Sequence, residues 1–426
     1  MSKHPSFPFL KKVSFKRYPE AFLLSFLFIL FLTLFLINRF FFTPKIMTIF
    51  CIILVACILG KLKIFLKDWF VFISFLYLFD SLRGTIYILA CQFNLPVHTL
   101  YAIKAEKLLF GSIPSVSLQN IFLKGTSTSD FTWFEKFLTV LHGTHFIAFL
   151  LVGLIIWIHR SDYFRSYKIS FYLLASIGIA GYFAVPTVPP WMASQLFHVI
   201  PELTRFNILI YNMIIPDITA GFDTNPIAAM PSLHAAFPIL CSVILWRTYR
   251  WKASFFFLYT FFILFIIVYS GDHYVVDIIA GAILVILCYL LAFKAKWTFL
   301  KLGMRKTVPL KQDQNNFLEK NRHLIIGIPI LILGISIGLA NKIQFENKSS
   351  SYAYSSVPRY IDFFDSGESY AQNYYIQYYL GNYYLEKEKI ADALLYFKRA
   401  LSISKSTVEK KRAQLKIEQC KILIKN

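Results

Sequence analysis

The chain has little charge, and little of that charge is negative. Only 16% of its 426 residues are charged, and 44 Lys and Arg outnumber 23 Asp and Glu. Hydrophobic residues make up 57% of the sequence, which is too apolar for an ordinary soluble domain. The positive residues lie in short loops between apolar runs, as is typical of membrane proteins. We therefore exclude nucleic acid as a partner and expect a lipid bilayer.

Cysteine is scarce as well. The six Cys are scattered and form no Cys-x-x-Cys pair, so they are interpreted as small apolar side chains and indicate no redox compartment. No group of His, Cys, Asp and Glu shows the spacing of a metal site. We expect neither a metal ion nor another cofactor.

Apolar runs are abundant, and each is close to the roughly 20 residues that cross a bilayer as a helix. The runs are Ala21–Phe42, Ile46–Gly60, Trp69–Ala90, Phe137–Ile158, Ile169–Val185, Leu233–Trp246, Ser254–Tyr269, His273–Phe293 and His323–Ala340. They predict an all-α polytopic membrane protein with a core of six transmembrane helices, about three further transmembrane helices and a small C-terminal helical hairpin.

Composition also predicts how the chain divides. The expected parts are N-terminal transmembrane helices at 1–68, a central membrane domain at 69–293, a basic cytoplasmic linker at 294–322, a ninth transmembrane helix at 323–340, a polar linker at 341–373 and a helical tail at 374–426. Lys and Arg are concentrated in alternate loops, which is the positive-inside pattern. This pattern predicts that the loops preceding Leu233 and His273 lie on the extracytoplasmic face, periplasmic or lumenal.

Two polar motifs each open an apolar run. Residues 230–236 read Met-Pro-Ser-Leu-His-Ala-Ala, and residues 271–277 read Gly-Asp-His-Tyr-Val-Val-Asp. Between them the chain crosses the membrane twice, so we expect His234 and His273 at the same membrane face. Ionisable groups at membrane depth are costly and usually functional. The alternative is that these residues only satisfy the polar ends of helices.

The spacing within these motifs favours chemistry at phosphorus. His273 and Asp277 are four residues apart and would share one helix face, so the carboxylate could accept the Nδ1 proton and leave Nε2 as a nucleophile or base. His234 follows Pro231 and Ser232 at a helix start, where backbone N–H groups favour an anion. An oriented imidazole beside a second one that can donate a proton suits attack on a phosphate.

Both motifs resemble a known family. The Pro-Ser-Leu-His of residues 231–234 and the His-x-x-x-Asp of residues 273–277 are similar to the second and third signature motifs of the type 2 phosphatidic acid phosphatase (PAP2) superfamily. The Aur1-like inositol phosphorylceramide synthase branch is closer, since its third motif begins His-Tyr, as at Tyr274. Residues 186–191 resemble that branch's Pro-Pro-Trp loop, and residues 108–119 resemble another of its segments.

The resemblance covers roughly residues 70–290 and implies a PAP2-like catalytic core at 69–293. It implies that His273 attacks phosphorus, Asp277 orients it and His234 protonates the leaving oxygen. The phosphohistidine would pass its group to water or to a lipid alcohol such as ceramide. The substrate would be a phospholipid or lipid pyrophosphate in the membrane, and the superfamily needs no metal.

This chain departs from the superfamily in its cations. The first motif, Lys, six residues and Arg-Pro, is missing, and Ile266 and Ile267 replace the Ser-Arg of the third. Arg83 is a candidate replacement that could bind phosphate, although it could instead pair with Asp80. The full set of predicted substrate contacts is Arg83, Ser232, Pro231, Tyr274, Trp191 and His145.

Two of these candidates have other interpretations. Trp191 lies in a segment expected to cover the site, together with residues 91–135, but its ring could serve only to shape that loop. His145, with His142 one turn before it, could simply hydrogen-bond across the helix bundle.

The tail at 374–426 resembles one tetratricopeptide repeat over residues 374–407, followed by one further helix. A single repeat cannot bury its apolar face alone. It would pack on the membrane domain, pair with another copy or bind a partner protein, unless it is a plain amphipathic hairpin. For the whole chain, the alternatives to an enzyme are a non-catalytic membrane scaffold and a lipid transporter.

Overall fold

A computed structural model describes Ile29 and residues 44–93, 97–125, 129–214, 225–301, 321–347, 374–386, 388–404 and 406–425. Apart from Ile29, the predicted first apolar run at 21–42 lies outside the described residues. So do residues 302–320 and 348–373, which form most of the two predicted linkers.

The described residues are almost entirely helical. The helices are α1 (Pro44–Ile58), α2 (Leu62–Phe93), α3 (Leu100–Phe110), α4 (Pro114–Phe122), α5 (Trp133–His159), α6 (Ser161–Ala184), α7 (Pro190–Gln195), α8 (Phe206–Ile214), α9 (Leu233–Tyr249), α10 (Ser254–Tyr269), α11 (Val275–Lys301), α12 (Arg322–Asn347), α13 (Tyr374–Glu386), α14 (Ile390–Ile403) and α15 (Thr407–Lys425). No β-strand forms among them; Thr187 makes isolated bridges to His98 and Ala228. The predicted all-α class is confirmed.

Five segments of the described chain are long and apolar enough to cross a membrane: Trp133–His159, Ser161–Ala184, Leu233–Tyr269, Val275–Phe293 and His323–Ala340. The third segment comprises α9 and α10, which a short 3₁₀ turn joins at Arg250–Ala253. Helices α1 and α2 form where the second and third runs were predicted, but they are not among these five segments. The protein is therefore an integral membrane protein.

Helices α9 and α10 form an antiparallel hairpin. Near its middle the hydroxyls of Ser242 and Thr260 are 2.7 Å apart, and nearer the turn the rings of Trp246 and Phe257 pack edge to face at 5.8 Å. Since later residues of α9 meet earlier residues of α10, the chain returns to the membrane end at which α9 began. The start of α9 and the segment after Tyr269 therefore lie together, as the sequence predicted.

Helix α12 packs parallel to α2. Gly327, Gly334 and Gly338 face Phe70, Leu78 and Ser81 respectively, and a Cβ at each glycine would lie 2.4, 3.0 and 3.2 Å from its neighbour. Small residues at this spacing let two membrane helices approach closely. Because the two helices run in the same direction, α12 ends at the face where α2 ends.

The tail contacts the membrane domain at that face. Helices α13 and α14 close around Phe397, whose ring would lie 2.6 Å from a Cβ at Gly381. Tyr379 is fully buried and its ring centroid is 6.0 Å from that of Phe197. Arg412 on α15 also reaches Glu202, at 3.5 Å. The tail thus packs on the segment that follows α7, the first of the arrangements considered for it.

Candidate active site

Helix α9 begins at a tightly held turn. Ser232 is its N-cap, and its hydroxyl accepts the backbone N–H of Ala235 at 3.2 Å. The backbone N–H of Ser232 donates to the carbonyl of Asp277 at 3.1 Å. Helix α11 can approach this turn because residue 281 is glycine: a Cβ there would lie 2.6 Å from the Ser232 carbonyl oxygen. These contacts fix the start of α9 against the start of α11.

Helix α6 supports the same turn from another side. A Cβ at Gly178 would lie 2.7 Å from Leu233, and one at Gly181 would lie 2.7 Å from Pro231. The Pro-Ser-Leu-His motif therefore sits between two helices, each of which carries glycine at a close approach to the motif.

This arrangement brings the two motif histidines together. The Nδ1 of His234 is 2.8 Å from the Nε2 of His273, and the ring centroids are 5.1 Å apart. The Nδ1 of His273 lies 3.0 Å from the carbonyl oxygen of Ala229, to which it must donate. Its Nε2 is then the acceptor, and His234 donates from Nδ1. The predicted proximity is confirmed; the catalytic roles remain predictions.

The group that accepts the Nδ1 proton of His273 differs from the expected one. Helix α11 starts at Val275, two residues after His273. Asp277 Oδ2 lies 3.6 Å from Nδ1 of His273, beyond hydrogen-bond distance, and accepts the backbone N–H of Tyr274 at 2.9 Å. The expectation that Asp277 accepts the Nδ1 proton is corrected: the Ala229 carbonyl accepts it, and the carboxylate acts on the imidazole through its charge.

Both histidines lie in the wall of a cavity of about 160 Å³. Its walls come from α2, α5, α6, the start of α9, residues 225–229 and 272–273, and the segment 186–214. We call that segment, together with residues 97–125, the roof. The lining is Arg83, His142, Gly143, Phe146, Tyr182, Pro189, Trp191, Arg205, Asn207, Ile208, Tyr211, Asn225, Pro226, Ala228, Ala229, His234, Asp272 and His273. The cavity therefore combines an imidazole pair, two arginines and an apolar wall.

Arg205 is a charged residue of the cavity that the sequence analysis did not predict. Its guanidinium lies 4.4 Å from the centroid of the Trp191 ring, and its Nε donates to Asp272 Oδ1 at 2.8 Å. The other carboxylate oxygen of Asp272 accepts from Asn207 and from Ser270. Burial opposes ionisation of Asp272, but the charge and hydrogen bond of Arg205 outweigh it and hold the pKa at about 2. Arg205 is thus paired, stacked and beside the imidazoles.

Gln119 fixes the chain just before Arg205. Its amide nitrogen donates to the carbonyls of Thr204 at 2.9 Å and Tyr269 at 2.8 Å, and its amide oxygen accepts the backbone N–H of Thr204 at 2.8 Å. Gln119 belongs to the segment whose likeness to the Aur1-like branch was noted above. The resemblance of that segment was therefore the one sequence feature that pointed to the part of the roof that positions Arg205.

The position of Arg83 is compatible with both interpretations given to it, and its role in phosphate binding remains a prediction. It lines the cavity, and its terminal nitrogen lies 3.4 Å from Asp80 one turn earlier on α2. Trp191 also lines the cavity and carries the Arg205 guanidinium, so this ring does more than shape the loop.

The remaining predicted contacts lie behind the cavity wall. Ser232 and Pro231 form the turn, and Tyr274 is fully buried away from the lining. His145 packs beneath His234 at a centroid distance of 4.7 Å, with its Nδ1 against the His142 carbonyl. The geometry does not support direct substrate contact for these four residues. Their contacts instead hold the motif histidines and the start of α9 in position.

Glu106 on α3 is a second residue that the sequence did not indicate. Its side chain is fully buried, and Oε1 accepts the backbone N–H of Val276 at 3.0 Å. Burial is the main cause that raises its pKa to about 7, with a further contribution from the charge of Asp277. A second carboxyl group therefore lies at the start of α11.

Part of the chain is similar to known proteins. Residues 120–291 match the family model of the PAP2 superfamily. The chain is similar to the phosphoinositol dihydroceramide synthase of Bacteroides thetaiotaomicron, with 31% identity over 169 residues, or 37% of this chain and 52% of the relative. It thus spans about half the length of that curated relative. No solved structure gives a significant match, and no comparison supports the tetratricopeptide assignment. The family match supports the PAP2 superfamily for the segment that holds the histidine motifs, and the name of the similar synthase agrees with the resemblance to the Aur1-like branch.

Proposed function

We propose that the protein is a membrane phosphotransferase or phosphatase that acts on a phospholipid or lipid pyrophosphate through a phosphohistidine. The single observation that carries the proposal is the 2.8 Å contact between His234 Nδ1 and His273 Nε2 in the wall of a cavity that also contains Arg83 and Arg205. An imidazole pair beside two cations suits a phosphate group.

In the first step a phosphate enters between the two rings and replaces their mutual hydrogen bond. The bound phosphate pairs with His234 in its imidazolium form. The Nε2 lone pair of His273 attacks phosphorus, the bond from phosphorus to the leaving oxygen breaks, and His234 gives its Nδ1 proton to that oxygen and becomes neutral. The imidazole of His273 becomes positively charged. The Ala229 carbonyl holds its Nδ1–H, and the Asp277 carboxylate stabilises the charge. Arg83 and Arg205 bind the phosphate oxygens.

In the second step an acceptor O–H enters. Its oxygen attacks phosphorus, the Nε2–phosphorus bond breaks, and the hydroxyl proton passes to Nδ1 of His234, which restores the starting state. Water as the acceptor makes the protein a phosphatase, and a lipid alcohol makes it a transferase. The name of the similar synthase favours a phosphoinositol donor and a dihydroceramide acceptor. The positive-inside pattern favours an extracytoplasmic site.

The test uses purified protein offered radiolabelled phosphatidic acid, undecaprenyl pyrophosphate, or phosphatidylinositol with ceramide. We expect turnover of at least one donor and an acid-labile, alkali-stable phosphoenzyme. His273→Ala should reduce the turnover rate by about 1,000-fold or more, and Asp277→Asn should reduce it by about 100-fold. His159→Ala is the matched control, because His159 is exposed at the opposite end of α5.

Turnover that survives His273→Ala would remove this mechanism. The absence of turnover with every donor would favour a scaffold or a transporter.

A further inference from the structure

His142 stands apart from the other imidazoles of the site. It lies on α5, lines the cavity, and its ring centroid is 5.9 Å from that of His234. Only 7% of its surface is exposed. The proposed mechanism uses His234 and His273, and His145 is held against the backbone of α5. His142 has no part in either step.

The hydrogen bonds around His142 settle which nitrogen carries its proton. The Tyr211 hydroxyl donates to the carbonyl of Thr139 at 2.8 Å. That hydroxyl has a single proton, so toward His142 Nδ1, at 3.0 Å, its oxygen must accept. Nδ1 of His142 is therefore the protonated nitrogen, and Nε2 bears a lone pair. This Nε2 is buried and has no hydrogen-bond partner in the structure.

A second side chain with a buried polar atom that lacks a hydrogen-bond partner lines the same cavity. The side chain of Asn225 is 7% exposed, and its Oδ1 accepts the backbone N–H of Ile227 at 3.3 Å. Its Nδ2 is buried without a partner. Buried polar atoms in native proteins are almost always hydrogen-bonded. Among its described lining residues the cavity thus presents an unfilled acceptor on His142 and an unfilled donor on Asn225.

The lone pair of His142 restricts what can bind there. A phosphodiester oxygen carries no proton at neutral pH and would be repelled, so the phosphate belongs beside Arg83 and Arg205. The reacting hydroxyl is excluded as well, because its proton passes to His234 in the second step. What remains is a second O–H or N–H group on a substrate, close to the phosphorus.

We propose that His142 is a specificity-determining residue whose Nε2 accepts a hydrogen bond from an O–H or N–H group that the lipid acceptor carries beside its reacting hydroxyl. Asn225 Nδ2 donates to an oxygen of the same lipid. This inference rests on the proposed function. A site built to bind a substrate O–H or N–H discriminates strongly against analogues without it, because its own polar atoms are left unpaired. Water and plain long-chain alcohols are such analogues.

Two variants separate the two nitrogens of His142. In His142→Asn the side-chain amide replaces Nδ1, which keeps the contact with Tyr211 but removes the acceptor at Nε2. In His142→Gln the amide reaches the Nε2 position and keeps an acceptor there. Phosphoenzyme formation from phosphatidic acid reports the first step, and transfer to ceramide, 1-hexadecanol or water reports the second.

We expect the wild-type protein to prefer ceramide to hexadecanol by about 100-fold or more in kcat/KM. His142→Asn should reduce that preference to less than about 10-fold, while the ratio of transfer to hydrolysis falls, and His142→Gln should retain most of it. A second measurement needs no variant. A ceramide methylated on both the amide nitrogen and the second hydroxyl should accept the phosphate from the wild-type phosphoenzyme as poorly as hexadecanol does.

The outcomes are distinguishable. An unchanged ceramide preference in His142→Asn, or full activity with the methylated ceramide, would overturn the proposal. If His142→Asn slows phosphoenzyme formation from phosphatidylinositol but not from phosphatidic acid, the group bound is a headgroup hydroxyl, and the assignment to the acceptor is wrong. No phosphoenzyme in the wild-type protein would remove the proposed function and this inference with it.

Discussion

The replacement of Arg205 by lysine tests whether the roof supplies the missing phosphate-binding cation. Lysine keeps the positive charge but loses the planar fork and the stacking surface of arginine. The stacking on Trp191, at 4.4 Å, is worth about 1 kcal/mol. The charged hydrogen bond to Asp272, at 2.8 Å, contributes about 2 kcal/mol. If both are needed to place the cation on the phosphate, the loss is about 3 kcal/mol, or roughly 100-fold in rate.

The assay is the rate of phosphoenzyme formation from phosphatidic acid in a single turnover. We expect Arg205→Lys to slow it by about 100-fold and Arg205→Gln by about 1,000-fold. Arg247→Lys is the matched control. Arg247 packs on the Phe293 ring at 4.7 Å and donates to the Tyr289 hydroxyl at 2.8 Å, but it lies at the far end of α9.

A rate in Arg205→Lys equal to that of the wild-type protein would refute the reasoning, provided that His273→Ala is inactive in the same assay. Aggregation of Arg205→Lys, but not of Arg247→Lys, would show instead that the stack on Trp191 holds the roof together and that Arg205 is structural.

Two further predictions concern Glu106 and the tail. Because the pKa of Glu106 is raised from 4.5 to about 7, the folded state holds a proton between those values that the unfolded state has lost. The free energy of unfolding should therefore fall as pH rises from about 4.5 to 7, by about 2 kcal/mol after allowance for solvent screening. Glu106→Gln keeps an acceptor for the backbone N–H of Val276, so its thermal unfolding should not show this dependence on pH. Tyr379→Ala removes a fully buried ring from the interface between the tail and the membrane domain, and such a loss typically costs about 3–5 kcal/mol. Protease should therefore release the tail faster in Tyr379→Ala than in Tyr396→Ala. Equal cleavage of the two variants would contradict the observed packing on Phe197.

The pairing of the two motif histidines was predictable because it depends only on the number of membrane crossings. Each apolar run reverses the chain, so two runs must return it to the same face whatever the details of packing. The hairpin of α9 and α10 meets that condition and returns His273 to the face of His234, where the nearest ring nitrogens are 2.8 Å apart. The glycines that face Leu233 and Pro231 complete the fit, but single residues of this kind carry no signal without their partner.

The surroundings of the imidazoles were not predictable in the same way. Arg205 and Asp272 are 67 residues apart, and their contact depends on the path of the roof rather than on any periodic pattern. The proton acceptor of His273 Nδ1 is a backbone carbonyl, that of Ala229, and a backbone group leaves no mark on the sequence. Asp277, which would lie one helical turn from His273, was therefore assigned the bond, although it accepts the backbone N–H of Tyr274 at the start of α11.

Three consecutive residues, 271–273, connect the Arg205 cation of the roof to the proposed nucleophile. Gly271 has a positive φ of 77°, and its carbonyl accepts the backbone N–H of Trp191 at 2.9 Å. Asp272 holds Arg205, and His273 is the proposed nucleophile. The stack that carries the cation and the ring that would attack are therefore anchored to adjacent peptide units.

Arg83 lies on α2, outside the roof, whereas Arg205 is hydrogen-bonded to Asp272, the residue next to His273. Phosphate binding by Arg205 and attack by His273 are therefore expected to change together, and a substitution at Gly271 should impair both. The tail packs on residues 197–202 of the same roof, so a disturbance of the tail would reach the site through this segment.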